Sequence, residues 1–229
     1  VAMFASITPA TDGYCVICGT GAGAVRIRAS EIERVADASG WLLGDLGSGY
    51  WLGHEAAKAV VAGMEGRGAT TALGPALLGA MGIATSGDHV LGRPEPLRKF
   101  IDAIYALRPI ELARFAPLVL EHREDPVAAR LIAEAERYLI ADFATVFDAR
   151  MPGPIALGGG VMPHLTGASA GIAEIVRAAG HRPDIHLAAD GSVGAIVLAM
   201  RAVGIVVDVA MFETITESVR AHAAGRVAS

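Results

Sequence analysis

The chain changes its hydrophobic rhythm in a fixed order, and that order limits the folds open to it. β-patterned segments come first, a long helical stretch follows, and strand–turn–helix units come last. "GYCVICG" (13–19) is a short apolar run between glycines, which suits a buried strand. "AVRIRA" (24–29) alternates apolar and basic residues as a half-exposed strand does, and "IERVAD" (32–37) continues the pattern. Tight turns at Thr20–Gly23 and Ala29–Glu31 join the three into an antiparallel meander. Residues 48–64 then adopt helical spacing, with Leu52, Ala56, Ala59 and Val60 on one side.

A short helix over 72–81 and proline-started helices over 94–106 and 109–121 are expected next. Residues 125–149 carry the strongest helical pattern. Pro126 suits a first turn, and Val127, Leu131, Ala135, Leu139, Phe143 and Val146 keep a three-to-four spacing. Beyond it the pattern becomes strand–turn–helix: a strand and its turn over 154–162, a helix over 168–179, a strand over 184–188 and a helix over 192–203. Strands alternating with helices call for parallel sheet members with helices on their faces. The expected class is therefore α/β, a mixed sheet in which an antiparallel meander precedes βα units.

Composition excludes several functions. The chain has 229 residues, 53% of them hydrophobic, enough for one large domain or two small ones. A net charge of −5 without a basic run argues against a nucleic-acid partner. Mean hydropathy is high at +0.46, yet the best apolar run, 196–211, is broken by Arg201 and Asp208, so no membrane span is expected. Two cysteines cannot form a disulfide framework and fit a reducing cytoplasm. The chain opens on Val1, and "VAMFASITPATDG" has no basic leader; it reads as the end of a helix running into a turn.

Three glycine-rich turns carry the chemical interest: "GTGAG" (19–23), "GDLGSG" (44–49) and "LGGGVM" (157–162). The first and third follow apolar strands directly. Backbone N–H groups at such junctions can cradle anions, and glycine lets a phosphate come close. None matches the GxxxxGK[ST] phosphate loop, and "GTGAGA" leads into a strand rather than the helix of a dinucleotide fingerprint.

Together with "DASGWLLGDLGSGYWLGHEA", "ALGGGVM" and "DGSVGAIVLAMRAVG", the "CGTGAGA" hairpin resembles the C-terminal lobe of N-acetylglucosamine kinases. It is equally similar to the BadF/BadG-type ATPases that activate benzoyl-CoA reductase, in the superfamily of acetate and sugar kinases, heat-shock chaperones and actin. The resemblance runs from residue 1 to about 204 and implies a ribonuclease H-like, actin-like ATPase lobe over 13–204. Residues 1–12 would then be a remnant of a first lobe or hinge, and 205–229 a helical tail.

The resemblance also implies ATP and Mg2+ as cofactors and a sugar as the small-molecule partner. Gly19, Thr20 and Gly21 match the phosphate-binding turn, and Gly158, Gly159 and Gly160 the adenosine turn. Gly40, Trp41 and Asp45 fall in the segment that lines the amino-sugar site; Asp45 would accept sugar hydroxyls or hold magnesium-bound water. Trp51 and Leu52 would anchor the following helix in the core. The family's catalytic aspartate would align just upstream of Val1, and no first-lobe phosphate motif is found. Three departures touch the site: Ala22 replaces the usual Ser or Asn, Asp37-Ala38-Ser39-Gly40 replaces GGWG, and Leu46 replaces Glu in GDEGS.

Other residues have structural readings. Cys15 and Cys18 lie three apart on a strand, face opposite ways and read as core, not as a metal or redox pair. The seven histidines show no paired ligand spacing, so no metal site is expected. His54 reads as a partly buried polar residue, His164 as a neighbour of the nucleotide, and "EHRED" (121–125) as a solvated helix boundary. The tail would pack on the lobe or on a neighbouring subunit, which leaves room for a homodimer. The resulting reading is a cytoplasmic amino-sugar kinase whose lone C-terminal lobe is not expected to turn over. An ATPase activator of a reductase or dehydratase and a non-catalytic nucleotide- or sugar-binding lobe are the alternatives.

Overall fold

The computed structural model describes residues 1–90, 92–189 and 191–227. Asp190, which opens the "DGSVG" segment, and the last two residues of the tail lie outside them.

A four-residue helix, α1 (Ala2–Ala5), leads through a turn into the meander β1 (Gly13–Cys18), β2 (Ala22–Arg28) and β3 (Glu31–Asp37). The β2–β3 turn holds Ala29 at φ 50° and Ser30 at φ 65°. Two successive left-handed residues are what a two-residue hairpin loop requires. Helix α2 (Gly49–Met64) starts at Ser48, whose side chain accepts the Trp51 N–H at 3.1 Å. Then come α3 (Leu73–Ala80), the short hairpin β4 (His89–Val90) and β5 (Arg93–Pro94), and α4 (Glu95–Tyr105).

The helix expected over 109–121 is two pieces, a 3-10 helix (Pro109–Phe115) and α5 (Ala116–Glu121). Pro117 explains the break: it has no N–H to donate backward, and it sits in the first turn of a new helix. Helix α6 (Pro126–Val146) follows, then β6 (Ile155–Gly158), a 3-10 turn (Met162–His164) and α7 (Thr166–Ala178). The chain closes with β7 (Ile185–Ala188), α8 (Ser192–Ala202) and α9 (Val209–Val227). Asp125 corrects the reading of 121–125 as a solvated boundary. Its carboxylate caps α6 at Val127 and Ala128 and also accepts Thr71 Oγ1 and Ala72 N, both at 2.8 Å, which fastens α6 to the start of α3.

The five-stranded sheet runs β3-β2-β1-β6-β7, with β1–β2 and β2–β3 antiparallel and β1–β6 and β6–β7 parallel. This is the expected α/β mixed sheet. One face packs Tyr14, Val16 and Cys18 beneath Leu52, Ala56, Val60, Leu131, Leu139 and Phe143 of α2 and α6. The other face sets Cys15, Ile27 and Ala156 against Phe4 of α1. The tail packs on the lobe, where Met211, Phe212 and Ile215 of α9 meet Val193 and Val197 of α8. Among the described residues, no helix is long and apolar enough to cross a membrane.

Candidate functional site

Because β1 and β6 are parallel neighbours, the glycine turns that end them fall side by side. The Val161 N–H donates to the Cys18 carbonyl at 3.0 Å across the gap between them. Gly159 sits at φ +96°, and a side-chain carbon there would collide with the Cys18 carbonyl. The left-handed backbone at Gly159 breaks the extended run, so β6 ends at Gly158 inside the strand-and-turn segment 154–162. Gly160, by contrast, has nothing within 4 Å of where its Cβ would stand, so it faces open space. Helix α2 is docked on the other turn: Gly49 and Tyr50 donate their N–H groups to the Gly19 and Thr20 carbonyls at 2.7 and 3.1 Å.

The two turns line one cavity of about 510 Å³ with the start of α2 and with Ala113, Ala116, Pro117, Leu120 and Glu121. Gly19, Thr20, Gly49, Gly160, Val161 and His164 supply the rest of its wall. Among the described residues, no protein acceptor takes the N–H groups of Thr20, Gly21, Gly159 or Gly160. A mixed wall of small apolar side chains and unengaged backbone donors suits a flat ligand that carries anionic groups. The wall from residues 113–121 was not foreseen. Its one sequence signal is Pro117 inside the segment 109–121, a position where a continuous helix is not expected.

Asp45 meets the first turn. It is 8% exposed, at φ 55°, and its Oδ1 accepts the Ala22 N–H at 3.2 Å. Both carboxylate oxygens lie about 3 Å from where a Gly21 Cβ would be. Trp41 lies elsewhere: it is 43% exposed and packs edge-on against Tyr50, which stacks on His54. Those three rings line a separate cavity of about 1010 Å³ between α2, α4 and the 109–115 turn, with Glu55 and Lys58 at its wall. Gly40 is open on its Cβ side. The structure therefore groups Asp45 with Gly19–Gly21 and sets Trp41 apart from both.

The loop carrying these residues is folded by Asp37. Its carboxylate accepts the Asp45 N–H at 2.7 Å with Oδ1 and the Leu46 N–H at 2.8 Å with Oδ2. Gly44 allows that approach, since a Cβ there would collide with Asp37 Oδ1. Behind it, on α6, Asp142 leaves Oδ2 buried without a partner. Burial, then the nearby Asp37 charge, pushes its carboxyl up to about 6. Glu55 goes the other way: its hydrogen bond to His54, then Lys58, holds it down to about 2.

Cys15 and Cys18 belong to the cores on opposite faces of the sheet, and burial pushes their thiols up to about 11 and about 12. Neither is placed to ligate a cluster as a thiolate. Among the described residues, no three His, Cys, Asp or Glu side chains converge on a metal position.

No protein-family model matches the sequence, and no curated protein matches it significantly. The structure superposes on a candidate N-acetylglucosamine kinase from Porphyromonas gingivalis at TM-score 0.63 and 18% identity, over 90% of this chain and 65% of that one. A candidate N-acetylglucosamine kinase from Chromobacterium violaceum gives TM-score 0.63 at 24% identity, over 86% and 64%. The chain thus spans just under two thirds of the length of these two structures. At such identities the likeness is one of fold, the fold shared with these two kinase structures and built here on a mixed five-stranded sheet.

Proposed function

We propose that the chain is the nucleotide-binding lobe of an ATP-dependent sugar kinase whose acceptor is an amino sugar, N-acetylglucosamine. The observation that carries this reading is the single cavity of about 510 Å³ shared by the β1 and β6 turns and the first turn of α2. Adenosine would lie along Gly158–Gly160 against Ala116, Pro117 and Leu120, and the phosphates would meet the free N–H groups of Thr20 and Gly21. The sugar would sit toward Gly40 and Trp41, where an exposed indole offers a flat apolar face. The two similar structures support the choice of acceptor through their names.

Magnesium fits as a companion of the nucleotide and not as a caged ion. Asp45 is the carboxylate that touches the phosphate turn, so it would hold the metal through water. When bound there, magnesium would neutralise charge on the transferring phosphoryl group. The chain's own residues do the remaining work by positioning: backbone donors fix the phosphates and the 113–121 wall keeps water from the base. The experiment is ADP release by the full protein with MgATP and, separately, N-acetylglucosamine, glucosamine and glucose. The reading expects turnover that depends on N-acetylglucosamine; turnover that is the same with no sugar would overturn it.

A further inference from the structure

We infer that Asp37 is a positioning residue that holds Asp45 against the phosphate turn by gripping the backbone amides of Asp45 and Leu46. The inference rests on the nucleotide reading above and deepens it. One carboxylate takes two consecutive N–H groups, one on each oxygen, at 2.7 and 2.8 Å. Hydrogen bonds to an ionised acceptor are about twice as strong as neutral ones. The grip is needed because the loop is held in an uncommon backbone. Asp37, Ala38 and Asp45 lie at φ 59°, 56° and 55°. Such residues persist where surrounding contacts over-determine them.

The consequence reaches the site in one further step. With its backbone fixed, Asp45 turns its carboxylate onto the Ala22 N–H at 3.2 Å, beside Gly21. Besides the grip, the Asp45 backbone is held on its C-terminal side, where its carbonyl accepts the Ser48 N–H at 3.2 Å and Gly49 bonds to the turn at Gly19. Asp37 fixes the other side. Gly44 completes the device, because any larger residue would push Asp37 away.

The test is a double-mutant cycle read by calorimetric titration with MgATP. Asp37→Asn keeps the size and the tolerance of left-handed backbone but offers one acceptor in place of two. It should weaken MgATP roughly five- to tenfold in the native background, the scale of a lost charge-assisted hydrogen bond. In an Asp45→Asn background it should weaken MgATP less than about twofold, since the group it positions is gone. A merely structural role would lower the melting temperature and leave this coupling at zero. Gly44→Ala, which leaves both aspartates in place, should reproduce the loss if Asp37→Asn fails to fold. An unchanged affinity in Asp37→Asn, or an equal loss in both backgrounds, would overturn the inference. If the native protein binds no MgATP, the nucleotide reading fails on its own. Amide exchange then decides: Asp45 and Leu46 should exchange at least about tenfold faster in Asp37→Asn, and unchanged rates would overturn the grip.

Discussion

The Asp45 carboxylate accepts the Ala22 N–H at 3.2 Å, and this bond ties the aspartate loop to the first glycine turn. It favours one of the two roles open to Asp45 from sequence, a hold on magnesium-bound water over a contact to sugar hydroxyls. On the proposed nucleotide reading, a group in contact with Gly21 and Ala22 would face phosphates and magnesium, so Asp45→Asn is expected to weaken MgATP about tenfold or more, the scale of a charged interaction. The affinity for N-acetylglucosamine should change less than about twofold. Paired titrations with the two ligands check this, and the opposite pattern would return Asp45 to the sugar.

Trp41 is expected to serve the acceptor alone. Trp41→Ala removes an exposed ring that packs on Tyr50 at 6.1 Å and lines the larger cavity, not the smaller one. The KM for N-acetylglucosamine should rise roughly fivefold, in line with about 1 kcal/mol for an aromatic contact. The KM for MgATP should stay put, and steady-state kinetics of the full protein with both substrates varied would show it.

Gly53 sets how closely α2 approaches the 109–115 turn. A Cβ there would overlap the Leu112 carbonyl oxygen. In an exposed helix Gly→Ala gains up to about 1 kcal/mol. Here overpacking reverses the sign, and Gly53→Ala should destabilise by about 1–3 kcal/mol. Denaturant unfolding of the two proteins measures the difference. A stabilised variant would mean that the helix and the turn are not in contact.

Asp142 gives a pH dependence with a definite sign. Its carboxyl is raised to about 6 in the fold, from about 3.9 in an unfolded chain. The folded state therefore holds the proton more tightly, and stability from this group falls as pH rises from about 4 through about 6. Asp142→Asn should be more stable than the native protein by about 1 kcal/mol at pH 7.5, a figure reduced for solvent screening of a half-buried group. At pH 4 the two should melt together. Melting curves at both pH values test this, and equal gains at both would assign the effect to packing.

The fold was legible because its signals are local. The alternation over 13–37, the three-to-four spacing of Leu131, Ala135, Leu139 and Phe143, and the glycine turns after two apolar strands each read within one segment. What escaped depends on contacts between segments. Asp37 looked like a simple departure from the kinase pattern, yet a left-handed bend at 37–38 brings it onto amides eight and nine residues later. Asp125 looked solvated because its partners Thr71 and Ala72 are more than fifty residues away in sequence. The 113–121 wall escaped for the same reason: Ala116 and Pro117 are ordinary helix residues until the turn after β6 is placed opposite them.

The central claim is that the two strand-end turns enclose a nucleotide, and Gly160 tests it most directly. A Cβ at Gly160 would meet no protein atom within 4 Å, and Gly160 lines the cavity, so Gly160→Leu should fill it without disturbing the fold. The measurement is calorimetric titration of MgATP into native protein and Gly160→Leu, with melting temperatures taken alongside. The account expects one MgATP site in the native protein and an affinity at least about tenfold weaker in the variant, a loss of roughly 1.4 kcal/mol, at an unchanged melting temperature. Equal affinity in two equally stable proteins would contradict it.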